Sequence, residues 1–299
     1  MENEKVVVVI PTCNGAEYIE RSIQSVLNQT YRNVEIAVVD DNGKDSENQR
    51  LTEKRIAPFL SCGKVKYFVH ELNKNGSAAR NTGAFGTDGE YITFLDDDDE
   101  YYPEKIEHQV KYLQDNKQLS MCWCGGEVYI DGVCAYARTP AMGEAAQLID
   151  VLMHRTNLQS NSMMIRREAY EELNGFDESF RRHQDWEFSA RVVAKYRVAS
   201  DGGNGFKHYI IGRNDPKNPE QAVEFRKHYL EKMQNVMKEL SDKDKKLVIS
   251  ENKVGALLYY LKAHRFFDFC IVFFREKLGF LGIEILFKKF WVKYVGRSK

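Results

Sequence analysis

The first hundred residues alternate between short apolar runs and segments with helical spacing, and this alternation restricts the fold more than any other feature of the chain. Four apolar runs predict strands, namely Lys5–Ile10, Val34–Val39, Val65–His70 and Tyr91–Leu95. Continuous β-branched runs such as KVVVVI are typical of strands that are covered on both faces. Strands that alternate with helices favour right-handed β-α-β units. We therefore predict an α/β fold with a mainly parallel central sheet and helices on both faces.

Three of these predicted strands end in polar residues: Pro11-Thr12, Asp40-Asp41 and the run Asp96–Asp99. Because ligands of open α/β sheets bind beyond the carboxyl ends of the strands, the three clusters predict one site. Four consecutive carboxylates repel one another, and a bound cation would offset that repulsion. Mg²⁺ and Mn²⁺ prefer such oxygen ligands together with substrate phosphates. The alternative is a solvated acidic loop.

From about residue 119 the alternation gives way to shorter apolar pieces. Asp131-Gly132 lies between two of them and predicts a hairpin. Ser160–Ile165 is a further strand candidate, and helical spacing returns over Gln184–Ala194. The glycine-rich stretch Gly202–Gly205 predicts a mobile loop.

Two basic residues follow that stretch, His208 and Arg213. They either form a lid over a diphosphate or belong to an ordinary solvated loop. Beyond Pro216 and Pro219 the pattern changes to long helices, roughly over 220–240 and 243–264. We place a boundary near residue 214, which predicts one domain over 1–214 and a helical region over 215–299.

Composition and missing motifs exclude several classes of protein. The formal net charge of the 299 residues is −1, which argues against a nucleic-acid partner. The chain lacks both the Gly-x-Gly-x-x-Gly and the Gly-x-x-x-x-Gly-Lys-Ser/Thr motif, so neither a dinucleotide fold nor P-loop phosphoryl transfer is expected. Its six cysteines form no Cys-x-x-Cys pair, and its acidic start does not resemble a secretory signal. We therefore expect a cytoplasmic protein with reduced thiols.

Four stretches of the chain, spread over about residues 5–200, together resemble family 2 glycosyltransferases of the GT-A fold. They occur in the family's order and read VVVVIPTCNGAEYIERSIQSVLNQTY, VEIAVVDDN, NGSAARNTGAFGTDGEYITFLDDDDEYYPEKI and GFDESFRRHQDWEFSARV. The resemblance implies a Rossmann-like GT-A domain, here followed by a helical C-terminal extension.

The resemblance also implies an activity. Family members transfer a sugar from a nucleotide-diphosphate donor, here expected to be a UDP-sugar, to an acceptor hydroxyl by metal-assisted single displacement with inversion. The expected acceptor is a saccharide, either lipid-linked or part of a growing surface polysaccharide such as a capsule. Two alternatives are a nucleotidyltransferase that makes sugar nucleotides and a non-catalytic scaffold docked on a membrane.

Carried over position by position, the resemblance implies nucleotide-binding roles for six residues: Pro11, Thr12, Asp41, Arg80, Asp96 and Asp97. Asp41 would contact the nucleobase and Asp98 would bind Mn²⁺ or Mg²⁺. Because the middle position of the family's Asp-x-Asp is itself an aspartate here, the register of these contacts is ambiguous by one residue. Asp185 corresponds to the catalytic base, although Gln184 replaces a frequent glutamate.

Three residues have structural alternatives. Asp185 could simply cap the helix that starts near residue 184, since Asp is favoured at that position. Asp40 could hold its loop through side-chain-to-backbone hydrogen bonds. Trp186 could stack on an acceptor sugar or belong to the core.

Residues 265–299 carry eight Lys or Arg against three acids, a local charge of +5, among dense aromatic residues. No uncharged apolar run approaches the length of a membrane-spanning helix. The pattern favours an interfacial amphipathic helix whose basic groups meet anionic lipid at the inner face of the plasma membrane. The alternative is a helix whose apolar face packs on the catalytic domain or on a partner chain.

Overall fold

The chain was analysed as a computed structural model that describes residues 4–156, 158–211 and 218–294. Its first half contains four parallel strands in the order β3-β2-β1-β4, with a helix in each connection. In chain order the elements are β1 (Val6–Thr12), α1 (Ile19–Leu27), β2 (Val34–Asp40), α2 (Glu47–Leu60), β3 (Val65–Val69), α3 (Gly76–Phe85) and β4 (Tyr91–Phe94). The four predicted strands are therefore confirmed.

The second half continues the same sheet with antiparallel pairings. Strand β8 lies antiparallel between β4 and β6, while β9 runs parallel to β6 and antiparallel to β5. These elements are β5 (Glu100–Tyr101), α4 (Lys105–Asp115), β6 (Met121–Ile130), β7 (Val133–Arg138), α5 (Leu148–Leu152), β8 (Met163–Arg166), α6 (Arg167–Glu172), α7 (Gln184–Lys195) and β9 (Val198–Tyr209). The sheet is thus parallel on one side of β4 and mixed on the other.

Burial explains the continuous apolar run of the first strand. Val6, Val8 and Ile10 are fully buried and pack with α1 residues such as Ile19 and Ile23. Val7 and Val9 on the opposite face of β1 are also fully buried. A strand covered on both faces needs apolar residues at successive positions, as the run KVVVVI has.

The hairpin prediction is confirmed and the loop prediction is wrong. Asp131 and Gly132 both have positive φ, 50° and 78°, as a two-residue type I′ turn between β6 and β7 requires. Gly202–Gly205 is not a loop but part of β9, which pairs with β6 through two register shifts. At Gly205 a Cβ would lie 2.5 Å from Cys124 Sγ, so glycine is required by close packing.

The chain divides into two compact units, one of residues 1–151 and 156–211 and the other of residues 152–155 and 212–299. The boundary predicted near 214 falls outside the described residues, as does Arg213, and both stay predictions.

The second unit is helical, with α8 (Pro219–Lys232), α9 (Asp242–Lys262), α10 (Phe266–Arg275) and α11 (Gly279–Tyr294). Helix α8 ends well before the predicted residue 240. The tail is two helices rather than one, because the chain turns at Lys277 and Gly279, both with positive φ. One face of each packs on α9 in a cluster of Val254, Leu257, Tyr260, Val272, Phe273, Leu278 and Ile285. Within the described residues, no helix is both long and apolar enough to cross a membrane.

Candidate active site

The ends of β1 and β4 meet at a hydrogen bond between Thr12 and Asp97. The two strands are neighbours in the sheet, and Thr12 Oγ1 donates to Asp97 Oδ2 at 2.7 Å. Both residues are buried. Gly15, in the turn after β1, lies so close that a Cβ there would be 1.7 Å from the same carboxylate oxygen. The turn glycine therefore makes room for the Asp97 carboxylate at the sheet edge.

Arg80 connects the aspartate run to the start of α7. Its side chain is 9% exposed, and Nη2 donates to Asp96 Oδ1 at 2.6 Å while Nη1 donates to Gln184 Oε1 at 2.8 Å. Helix α3 carries Arg80 on the face that meets both partners. An arginine suits this bridge because its planar guanidinium holds several donors in fixed directions. The residue next to Gln184 is Asp185, so one guanidinium connects Asp96, a nucleotide-binding candidate, to the segment that carries the base candidate.

Asp185 lies in the first turn of α7 and is half-buried. Burial raises its pKa to about 6, against the opposing effect of the Arg80 charge, and the negative charge of Asp96 raises it further. Its Oδ1 accepts a hydrogen bond of 3.0 Å from the backbone N–H of Trp186. The N-cap position is occupied by His183, so Asp185 is not the N-cap residue, although its carboxylate accepts one N–H of the first turn.

Asp99, the last of the acidic run, is held by Asn161, in a 3₁₀ turn before β8, and by two residues of β9. It is fully buried and accepts hydrogen bonds from Asn161 Nδ2 and, at 2.8 Å, from the Tyr209 backbone N–H. His208 Nδ1 lies 2.9 Å from Asp99 Oδ2, the oxygen that also accepts from Asn161. Burial lowers the pKa of His208, but Asp99 and its acidic neighbours outweigh this and raise it to about 9. His208 is therefore a charged partner of Asp99 in β9, and the solvated-loop interpretation of this residue is wrong.

Asp41 organises the loop in front of α3. It is buried, its backbone N–H bonds to the Thr12 carbonyl, and its carboxylate accepts from the backbone N–H groups of Lys74 (2.7 Å) and Asn75 (2.8 Å). His70 Nδ1 lies 2.7 Å from Oδ1. Three of the roughly four lone pairs of the carboxylate are thus used within the chain. The nucleobase contact of Asp41 stays a prediction.

Asp40 and Pro11 flank this arrangement. Asp40 Oδ1 accepts from the Asn42 backbone N–H at 2.9 Å, which confirms that Asp40 holds its own loop. Tyr67 Oη donates to the other oxygen of Asp40. Pro11 is half-buried and pairs in register with Val39.

The acidic run offers a divalent cation carboxylate oxygens. At least one carboxylate oxygen of Asp97 and one of Asp99 accept hydrogen bonds from within the chain. A third of the Asp96 side chain is exposed to solvent. In the described ranges, no group of three or more His, Cys, Asp or Glu could hold a metal ion. This donor chemistry fits Mg²⁺ or Mn²⁺ held by one or two carboxylates and completed by substrate phosphates. The metal role of Asp98, itself buried, stays a prediction.

Two residues that support the site were not predicted from the sequence. Asn161 accepts from the Asp96 backbone N–H at 2.9 Å and also donates to Asp99. His70 links Asp41 to Thr82 Oγ1, 2.9 Å from its other ring nitrogen. A signal existed for each, because His70 ends one predicted strand at the site edge and Asn161 lies in the polar start of another, Ser160–Ile165.

A cleft of about 390 Å³ lies at the other end of β4, beside Tyr91. Arg166 lines it but donates to the carbonyl oxygens of Leu113 and Leu119. Neither the aspartate run nor Asp185 reaches this cleft, so we place no chemistry there.

Comparison with known proteins identifies the family. The family model described as "Glycosyl transferase family 2" matches residues 7–173, more than half of the chain. The chain belongs to glycosyl transferase family 2. The predicted family is thereby confirmed, and family membership favours sugar transfer over the nucleotidyltransferase alternative.

Curated relatives of this family 2 chain include three that show its range. An uncharacterized glycosyltransferase of Rickettsia prowazekii is 33% identical over 201 residues, covering 64% of this chain and 59% of the relative. The amylovoran biosynthesis glycosyltransferase AmsB of Erwinia amylovora is 27% identical over 62% of each chain. WfgD of Escherichia coli, a UDP-Glc:alpha-D-GlcNAc-diphosphoundecaprenol beta-1,3-glucosyltransferase, is 34% identical over 116 residues, 39% of this chain and 44% of that one. Each match spans less than two-thirds of the relative's length.

Solved structures confirm the fold. Residues 1–349 of Staphylococcus aureus TarS in complex with UDP-GlcNAc give a TM-score of 0.66 at 16% identity, covering 91% of this chain and 92% of that one. The same TarS segment with UDP gives a TM-score of 0.62 at 18% identity, covering 83% and 70%. At this identity the likeness shows the fold alone. The predicted GT-A α/β fold with a helical C-terminal extension is therefore confirmed.

Proposed function

We propose that this chain transfers a sugar from a UDP-sugar to an acceptor hydroxyl, with inversion at the anomeric carbon and with help from a divalent metal. The observation that carries the proposal is the Arg80 guanidinium, which bonds to Asp96 at 2.6 Å and to Gln184 at 2.8 Å. It holds the candidate donor site and the segment of the candidate base, Asp185, at one place. A single displacement needs both ends of the reaction in one site.

The relatives favour a particular donor and acceptor. WfgD is named for a UDP-Glc donor and a diphosphoundecaprenol-linked acceptor, AmsB for biosynthesis of the polysaccharide amylovoran, and TarS has been solved with UDP and UDP-GlcNAc. By analogy we propose a UDP-sugar donor here. The proposed acceptor is a lipid-linked or growing surface polysaccharide, such as a capsular or other cell-envelope glycan.

In the proposed mechanism Asp185 acts as general base. With a pKa of about 6, its carboxylate is ionised at neutral pH and can accept the proton of the acceptor hydroxyl. The acceptor oxygen then forms a bond to the anomeric carbon as the bond to the diphosphate breaks, and the electron pair of that bond leaves with the diphosphate. Such base assistance contributes about 10²–10⁴-fold. One displacement inverts the configuration, so an α-linked donor gives a β-linked product.

The displacement also requires that the negative charge developing on the leaving diphosphate be stabilised. Asp98 would hold the divalent cation, with Asp96 beside it toward the nucleotide, and Thr12 fixes the neighbouring Asp97. The bound cation would supply electrostatic stabilisation of the departing diphosphate. Arg80 fixes the orientation of Asp96 and places a positive charge beside it, which limits the repulsion among the aspartates.

The first test is calorimetric binding of UDP, GDP, dTDP and CMP, with and without Mn²⁺. We expect UDP to bind in a Mn²⁺-dependent way and Asp98→Asn to weaken that binding at least tenfold. Asp131→Asn is the matched control, because Asp131 sits in the exposed β6–β7 turn, where asparagine is equally suited. If wild type bound none of the four nucleotides, the scaffold alternative would stand instead.

We also propose that the tail contacts an anionic membrane at the inner face of the plasma membrane. Outside the faces packed on α9, both tail helices expose large apolar side chains at helical spacing. In α10 these are Phe267 (79% exposed), Ile271 (49%) and Phe274 (77%); in α11 they are Phe280 (82%), Ile283 (43%), Phe287 (72%) and Trp291 (67%). The exposed bases Arg275 and Lys288 lie among them. Aromatic stripes beside basic groups match the interface of an anionic bilayer.

A vesicle experiment tests this surface. We expect wild type to cosediment with phosphatidylcholine vesicles containing phosphatidylglycerol, less strongly as salt rises. The double variant Phe274→Ser/Phe287→Ser should bind at least tenfold more weakly, because burying a Phe side chain is worth about 1.5–3 kcal/mol. Phe85→Ser, at an exposed aromatic in α3, is the control. Vesicle binding that is equal in wild type and double variant, or absent from both, would contradict the membrane role of the tail.

A further inference from the structure

His183 and Trp186 form a stacked pair beside the candidate base. Their ring centroids are 3.7 Å apart and the planes are within 6° of parallel. Both residues are partly exposed, so Trp186 does not belong to the core. The backbone N–H of Trp186 donates to Asp185 Oδ1, which ties the pair to the carboxylate.

The backbone of His183 is unusual for its position. It is the N-cap of α7 but makes no side-chain cap hydrogen bond, and its φ of 62° lies in the left-handed region. N-caps favour Ser, Thr, Asp and Asn, and a non-glycine residue in this region is strained. The His183 side chain therefore does not cap the helix, and its ring lies flat against the indole of Trp186 instead.

The segment that contains His183 and Trp186 is held in place by Arg80, which also bonds to the nucleotide-binding candidate Asp96. Gln184, between His183 and Asp185, bonds to Arg80 and, through Nε2, to the Phe180 carbonyl at 3.0 Å. A Cβ at Gly76 would approach Gln184 Oε1 to 2.9 Å, so α3 begins directly against this segment. The segment between the two aromatic residues is thus held by Arg80, which also bonds to Asp96.

We propose that the His183–Trp186 pair is the platform on which the terminal pyranose of the acceptor stacks, turning its hydroxyl toward Asp185. This inference rests on the proposed function. A pyranose has an apolar C–H face and a polar rim of hydroxyls, and an aromatic ring binds the first while leaving the second free to react. Placing the nucleophile on a rigid surface also supplies the orientation that a displacement needs. Trp186 is then a positioning residue for the acceptor, and Asp185 remains the group that takes the proton.

The test measures glycoside binding separately from nucleotide binding. Saturation-transfer NMR with methyl β-glucopyranoside, in the presence of UDP and Mn²⁺, reports which sugar protons contact the protein. Calorimetry with UDP reports the donor side on the same samples. The variants are Trp186→Phe, which keeps a flat ring, and Trp186→Leu, which does not. Phe85→Leu is the matched control, because it makes the same kind of change at an exposed aromatic in α3.

We expect saturation of the H1, H3 and H5 face of the glycoside in wild type, in Trp186→Phe and in the control, and at least a fivefold loss in Trp186→Leu. UDP affinity should stay within twofold in every variant. Equal glycoside signals in wild type and Trp186→Leu, no signal in wild type, or a parallel loss of UDP affinity would each overturn the platform. Failure of the proposed function has a different signature, namely no UDP binding in wild type whatever the glycoside does.

Discussion

At the residue scale, burial and neighbouring charges act in opposite directions on the pKa of Asp185. Burial and Asp96 disfavour its charge, whereas Arg80 favours it, and the pKa settles near 6. A base works best when its pKa lies close to the working pH, because it is then ionised yet still a good proton acceptor. Asp185→Asn keeps the shape and the acceptor oxygen but cannot take a proton. We expect it to lower kcat by about 10²–10⁴-fold and to leave UDP affinity unchanged. Transfer assays beside UDP calorimetry check this, and a variant with full activity would remove Asp185 from the mechanism.

The same pKa sets the expected pH dependence. Asp185 acts in its deprotonated form, so kcat/KM should be constant above the pKa of about 6 and fall about tenfold per pH unit below it. The rise is toward alkaline pH because the raised pKa keeps the base protonated in acid. The profile is measured from pH 4.5 to 8 at fixed ionic strength, with circular dichroism at each pH to confirm that the chain is folded. A flat profile across this range would show that a different group accepts the proton.

Individual residue contacts could be predicted from the sequence only where strand ends coincide. Thr12 and Asp97 meet because β1 and β4 are neighbours, and the alternation of elements had placed both at the same edge of the sheet without giving the strand order. The partners of Asp99 and Asp41 could not be predicted in the same way. His208 is 109 residues from Asp99, and the antiparallel return that joins them has no sequence motif. Asp41 faces inward because backbone N–H groups of the loop before α3 require an acceptor.

At the element scale, two helix glycines with opposite surroundings give a paired prediction. In α9, a Cβ at Gly255 would meet nothing nearer than Arg226 Nη2 at 3.6 Å. Gly255→Ala should therefore stabilise by about 0.5–1 kcal/mol, since glycine in a helix interior costs that much relative to alanine. In α3, a Cβ at Gly83 would lie 2.5 Å from Val9 Cγ1, and Gly83→Ala should destabilise by about 1–3 kcal/mol. Calorimetry of both variants checks the signs. A rise in melting temperature for Gly83→Ala would show that α3 is not seated on β1 as described.

Elements were predictable where local periodicity matched the final packing, and not elsewhere. Strands β1, β2 and β4 are buried on both faces along nearly their whole length, so their runs are almost entirely apolar, whereas the edge strand β3 is only partly buried. Strand β9 contains Asp201 followed by Gly202, Gly203, Asn204 and Gly205, a composition typical of a turn. It nevertheless forms a strand because β6 provides a parallel partner and Lys105 and Cys124 leave no room for side chains at Gly205. Tertiary packing here overrode local propensity.

At the scale of the whole chain, charge is distributed unevenly. The net charge of the whole chain is −1, whereas residues 265–299 carry +5. The average over the chain therefore does not indicate the basic, aromatic surface of α10 and α11. The tail helices use one face for their own core with α9 and expose the other. An exposed apolar surface of this kind on a folded helical unit is expected to have a binding role.

The two compact units lead to a prediction for the unfolding of the chain as a whole. The residues with predicted nucleotide, metal and base roles all lie in the unit of residues 1–151 and 156–211. A ligand that binds only the folded state stabilises it by RT ln(1 + [L]/Kd), about 2.7 kcal/mol when the ligand is present at 100 times its Kd. UDP with Mn²⁺ should therefore raise the melting temperature of that unit and leave the melting temperature of the helical unit unchanged.

In Asp98→Asn the Mn²⁺-dependent part of the rise should disappear, while Asp131→Asn should behave as wild type. Scanning calorimetry at a fixed UDP concentration measures this. An equal shift of both transitions, or a shift in Asp98→Asn as large as in wild type, would contradict a metal-linked nucleotide site confined to the first unit.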